Sequence, residues 1–115
     1  MLEKFPGESA MFDIDCSQLL GTGVTITGTP TMSFLPALTG GDGLTFGTPT
    51  VNTQAVTYSD GRTVAAGKVV QVRISGGTAA NSKDSRVYAV AATIATSDGN
   101  TLQAKALLNV LPLYP

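Results

Sequence analysis

The sequence predicts an all-β chain folded as an antiparallel two-sheet sandwich, and three observations carry that reading. Short runs rich in Val, Ile, Thr, Phe and Tyr alternate with clusters of Gly, Pro, Asp and Asn, with almost no helical periodicity. The length of 115 residues allows one core and little more. The last third holds two long alternating runs joined by Ser97-Asp98-Gly99-Asn100, a hairpin signature because Asp-Gly accepts positive backbone angles.

Taken in order, residues 1–9 read as an N-terminal arm, 10–111 as the sandwich and 112–115 as a C-terminal tail. In the run 10–15, Phe12 and Ile14 face one way and Asp13 and Asp15 the other, because strand side chains alternate. Residues 17–20 read as a brief turn or one helical turn that buries Leu19 or Leu20. Residues 24–28 make a strand with Val24 and Ile26 inward. Pro30 breaks it, and 31–35 continue as a further strand or a kinked extension. Residues 36–43 are a glycine-rich loop. Residues 44–46 and 51–58 read as two strands separated by Gly47 and Pro49, and 59–67 as a hairpin loop built on Asp60-Gly61.

Residues 68–75 are the clearest early strand, with Val70, Val72 and Ile74 inward; Gly76 and Gly77 end it, and 78–84 are loop. In 86–96, Tyr88, Val90, Ala92 and Ile94 share a face. In 101–111, Leu102, Ala104, Ala106, Leu108 and Val110 answer them. Six to eight strands at this spacing, ending in a long hairpin, predict an immunoglobulin-like antiparallel β-sandwich with ordered N- and C-terminal arms.

Charge narrows the partners. Net charge is −1, and the seven Lys and Arg are scattered singly, which gives no footprint for a phosphate backbone. Charged residues make up 13% of the chain, about half the usual fraction of ~25%. The polar surface is therefore mostly Thr, Ser, Asn and Gly, which guards poorly against edge-to-edge pairing and suits a surface covered by neighbours. The opening residues lack the apolar core of a signal peptide, and no stretch reaches the ~18–20 apolar residues of a membrane span. Cys16 is the only cysteine, so no intrachain disulfide forms, as suits folding in a reducing cytosol.

The residues offer no catalytic machinery and call for no cofactor. Histidine is absent, which removes the commonest general base, the commonest zinc ligand and any Ser-His-Asp or Cys-His arrangement. Asp13 and Asp15 share a strand face. Paired carboxylates serve glycoside hydrolysis, but that also needs an aromatic-lined cleft, and the chain has no Trp. With Asp42 or Asp98 they could hold calcium, although no EF-hand loop is present; the alternative is a solvated edge-strand face. Gly21-Thr22-Gly23 and Gly40-Gly41-Asp42-Gly43 precede no helix and no Lys-Ser/Thr pair, so they read as turns rather than phosphate cradles. The informative features are apolar and peripheral: Met1, Leu2 and Phe5 in the arm, Leu38 and Val64 in the two long loops, and Leu113 and Tyr114 in the tail. These are the expected partner contacts.

The segments Gln71-Val72-Arg73-Ile74-Ser75-Gly76-Gly77-Thr78-Ala79 and 88–100, the latter opening on Tyr88 and closing on Ser97-Asp98-Gly99-Asn100, resemble a family of small tailed-phage structural proteins. There a strand ends in a Ser-Gly-Gly-Thr-Ala turn, and a Tyr-initiated strand follows into an Asp-Gly hairpin. Phe12-Asp13-Ile14-Asp15-Cys16 with Leu19-Leu20, then Val24-Thr25-Ile26, is similar to the family's opening. The chain departs from the pattern in lacking an early Trp and in longer loops at 35–43 and 59–67. The resemblance implies an immunoglobulin-like virion component and no enzyme: an adaptor joining fibres to a tail or neck. Its implied partners are other virion proteins (tail, fibre, neck or capsid), met in multiple copies within a symmetric assembly, with no nucleic acid and no membrane. Alternatives are a capsid decoration protein and a cell-surface carbohydrate-binding module.

Overall fold

A computed structural model gives the fold and describes residues 2–5, 7–35, 43–77 and 86–111. All regular structure in them is β. The strands are β1 (Leu2–Lys4), β2 (Ala10–Asp15), β3 (Ile26–Leu35), β4 (Thr45–Phe46), β5 (Thr50–Val51), β6 (Val56–Thr57), β7 (Thr63–Val64), β8 (Val69–Ser75), β9 (Arg86–Thr96) and β10 (Thr101–Val110). One sheet runs β1-β10-β9-β3. A second runs β2-β8-β4, with β5 also pairing β8, and β6 and β7 form a separate two-stranded ribbon. Every pairing is antiparallel except β1 with β10, which is parallel.

Alternation builds the core. Tyr88, Val90, Ala92 and Ile94 of β9, Ala104, Leu108 and Val110 of β10, and Val70, Val72 and Ile74 of β8 join Ile14 and Ile26 in one buried cluster drawn from both sheets. Each fully buried Val, Ile or Leu contributes about 1.5–3 kcal/mol relative to exposure. Phe34 of β3 stacks on Phe46 of β4 at 4.2 Å between centroids, so an aromatic pair bridges the two sheets along one open side.

The structure refines several expected boundaries. Pro30 does not end its strand: β3 runs through it, with a register shift between Thr27 and Thr31. A proline lacks an N–H and is tolerated where a bulge falls on an edge strand, and β3 is an edge. The expected strand 51–58 divides into β5 and β6, because Asn52 turns inward between them. The loop 59–67 contains β7, which pairs Val56 with Val64 and Thr57 with Thr63. Within the arm, Leu2–Lys4 forms β1. Between β4 and β5 the ladder against β8 slips: Phe46 faces Ile74 and Thr50 faces Gln71, four positions against three. Gly47 and Pro49 take up the extra residue.

The Gly76-Gly77 turn is fixed by close approach. Gly76 sits at φ +77°, and a β-carbon there would lie 2.1 Å from the Gly43 carbonyl oxygen. Its own carbonyl accepts a hydrogen bond from the Lys4 ammonium. Thus the Ser-Gly-Gly turn joins β8, the start of β4 and the N-terminal strand at one point.

Candidate docking surface

The outward face of the β1-β10-β9-β3 sheet follows from register. Directly paired residues share a face, so three rows cross β3, β9 and β10: Thr31–Thr93–Gln103, Ser33–Ala91–Lys105 and Leu35–Ala89–Leu107. Beyond the last row, Val87 faces Asn109, which in turn faces Glu3 of β1. Val87 is 52%, Leu107 48% and Leu35 38% exposed. Lys105 and Glu3 are the only charges these rows carry. The result is a nearly uncharged face, closed over at Ala91, which is buried, with an exposed apolar end where β3 and β10 finish and β9 begins.

The terminal strand is tied to that same end. Leu2 and Lys4 pair with Leu108 and Val110, so their side chains point into the sandwich. Leu2 packs half-buried against the core. The Leu111 N–H donates to the Lys4 carbonyl at 2.8 Å, which sets the start of the tail beside the arm. The Lys4 ammonium is buried and donates to the carbonyls of Phe5 (2.6 Å) and Gly76. Burial lowers its pKa, partly offset by the Glu8 charge. Phe5 stands 50% exposed, its N–H held by the Glu8 carboxylate at 3.4 Å.

A second cluster lies on the other sheet. The Asp15 carboxylate pairs with the Arg62 guanidinium, which also lies 4.8 Å from the Tyr58 ring centroid and 3.8 Å from Asp60. Burial acts to raise the Asp15 pKa, but hydrogen bonds from Ser17 and the Arg62 partner outweigh it, and the net shift is downward. Burial and the charges of Asp13 and Asp15 push the Tyr58 hydroxyl upward. Arg62 therefore neutralises Asp15 directly. Asp98 is engaged with Thr96 and Asn100 in the β9–β10 turn, and Asp42 lies outside the described residues. No group of three or more potential ligands occurs among the described residues. Cys16 is buried, and burial, with the Asp15 charge, pushes its thiol up to about 11, the opposite of nucleophile activation.

The ribbon of β6 and β7 is latched by Asn52, which is 6% exposed. Its side-chain oxygen accepts N–H groups of Gly67 (3.1 Å), Lys68 (3.1 Å) and Val69 (2.9 Å). Its amide donates to the carbonyls of Gln54 (2.8 Å) and Ala65 (3.1 Å). Held this way, Val64 is 4% exposed. Its side chain is turned inward, contrary to the surface role expected of it. Of the other expected contacts, Phe5 is exposed and Leu2 is half-buried, while Met1, Leu38, Leu113 and Tyr114 lie outside the described residues. The row of Leu35, Ala89 and Leu107 with Val87 lies apart from the termini and loops that the sequence points to. The signal was present in the alternation: Val87, Ala89 and Ala91 make the second face of β9 apolar, as in strands covered on both sides.

The family described as podophage GP4 fiber-tail adaptor protein gp77 matches residues 4–109. The chain belongs to that family. The phage-protein resemblance read from the sequence is thereby confirmed, and the family is a structural one of the virion. No curated protein matches the sequence. The match to the gp77 adaptor family takes in the Gly76-Gly77 turn, both strands of the long hairpin to Asn109, and the whole apolar row. Phe5, Leu38 and Val64 fall inside it; Met1, Leu2, Leu113 and Tyr114 fall outside. No helix among the described residues is long and apolar enough to cross a membrane.

Proposed function

We propose that this chain is a virion adaptor that joins fibres to the tail, present in several copies and docking through the apolar end of its larger sheet. The carrying observation is the row Leu35–Ala89–Leu107 with Val87, in which Leu35, Leu107 and Val87 are exposed and Ala89 half-buried, on a face with almost no charge and within the region matched by a fibre–tail adaptor family. Exposed contiguous apolar surface rimmed by polar residues marks interaction sites. The arm and the start of the tail emerge at this end, so they add to the same contact. Partners on this reading are other virion proteins. The fold is read as immunoglobulin-like: β10-β9-β3 facing β2-β8-β4 reproduces the split of strands G, F, C from B, E, D in that sandwich. The first strand here pairs in parallel with the last.

The test uses a phage lacking the gene for this chain, complemented in trans with wild type, Val87→Asp or Leu107→Asp. Both positions are about half exposed, so folding should weaken by about 1 kcal/mol, the span of strand propensity, and the domain should stay folded. A charge buried unpaired in an interface is strongly unfavourable. The expected result is a folded variant missing from purified particles, with fibre protein lost alongside it. Wild-type incorporation of both variants would overturn the reading.

A further inference from the structure

Resting on that docking role, we infer that the partner adds an extended strand to the free edge of β3, over Thr31–Leu35. Among the described strands, β3 has a pairing partner on one side only. An antiparallel edge strand turns every second residue's N–H and C=O away from its neighbour, and these groups are complementary to another strand's backbone.

The other sheet edges are guarded. Strand β1 has three residues. Strand β2 carries Asp13 and Asp15, the latter paired with Arg62. The β4–β5 edge is broken by the register slip at Gly47 and Pro49. Charges, prolines, bulges and short length are the usual protections against edge pairing. In β3 the bulge and Pro30 protect only the first half. From Thr31 to Leu35 the ladder to β9 is unbroken, and the ten residues of β3 include no charge.

The rows identify the occupant. A strand laid beside Thr31–Leu35 continues each row by one residue: a small or polar group opposite Thr31 and Ser33, and an apolar group opposite Leu35. That apolar group would extend Leu35–Ala89–Leu107 and cover its open end. A second copy of the chain does this badly. Two-fold antiparallel pairing of Thr31–Leu35 with itself places Leu35 against Thr31 and leaves the two apolar rows at opposite ends, still exposed. The fitting partner is therefore an uncharged extended segment of another virion protein, with an apolar residue at one end of a polar alternation.

The experiment compares amide hydrogen exchange in the isolated full-length chain and in purified particles. The edge-facing amides of Thr31–Leu35 should exchange roughly tenfold or more slowly in particles, while amides on the free edge of β2 stay unchanged. In complementation, Thr31→Lys should lower incorporation roughly tenfold by placing a charge beside the added strand, while Thr31→Val should incorporate normally. Chain present in particles with β3 exchanging as in isolation would overturn the strand addition and leave the adaptor role standing. Absence of the wild-type chain from particles would overturn both. An isolated chain that is a dimer with β3 already protected would make a second copy the occupant, and would also overturn the proposal.

Discussion

Replacing Asn52 by Ala should be among the most damaging single changes in the chain, although the residue lies in no regular strand. Its side chain makes five hydrogen bonds, three accepted and two donated. The Gly67 N–H also reaches the Asn52 backbone carbonyl at 2.9 Å, so it stays paired in the variant. The Val69 N–H does not. Val69 is fully buried, and its N–H points to the Asn52 side rather than to β2, since Cys16 N–H to Lys68 carbonyl sets the hydrogen-bonded pair one residue away. An orphaned buried donor costs about 1–3 kcal/mol, and each remaining lost hydrogen bond about 1 kcal/mol net where water can replace it only in part. With the Lys68, Gln54 and Ala65 bonds also lost, the total is about 4–6 kcal/mol, a large share of the ~5–15 kcal/mol that holds a domain together. For a chain of this size that is a fall in Tm of about 15–30 °C. Chemical denaturation and calorimetry of Asn52→Ala against Thr53→Ala, an exposed neighbour expected within about 0.5 kcal/mol of wild type, would measure it. A loss below about 1 kcal/mol for Asn52→Ala would refute the latch.

Gly76→Ala should be far more destabilising than Gly99→Ala in the same denaturation assay. Both glycines have positive φ, worth about 1–2 kcal/mol, but only at Gly76 would the new β-carbon strike backbone, at 2.1 Å from the Gly43 oxygen. Asp15 has a folded pKa below its ordinary value, so its contribution is present above the unfolded value of 3.8 and lost as pH falls below it. Arg62→Ala should shrink that acid limb of the stability profile without abolishing it, because the Ser17 hydrogen bonds to Asp15 remain, and an unchanged limb would count against the pair. Cys16, with its thiol near 11 and no exposure, should resist alkylation at pH 8 in the folded chain and react once denatured; rapid native labelling would contradict its burial.

Much of this architecture was legible from alternation alone. The inward faces of β8, β9 and β10 emerge as Val70, Val72, Ile74, then Tyr88 to Ile94, then Ala104, Leu108 and Val110, because period-two burial is a local property of a strand. What escaped depends on distant contacts. Leu2–Lys4 is too short to announce a strand and gains its pairing only from β10. Pro30 reads as a breaker unless its strand is known to be an edge. Val64 reads as a loop residue until Asn52, thirteen positions from Ala65, is seen to fold the ribbon down. The apolar row escaped for the same reason: Leu35, Ala89 and Leu107 become neighbours only when three strands are set in register.

The most direct measurement is a cryo-EM reconstruction of the intact particle resolving the site where fibres meet the tail. This β-domain should sit there, with Leu35, Val87, Ala89 and Leu107 buried against a second protein. Density for the domain on the head lattice instead, or at the tail with that row facing solvent, would contradict it.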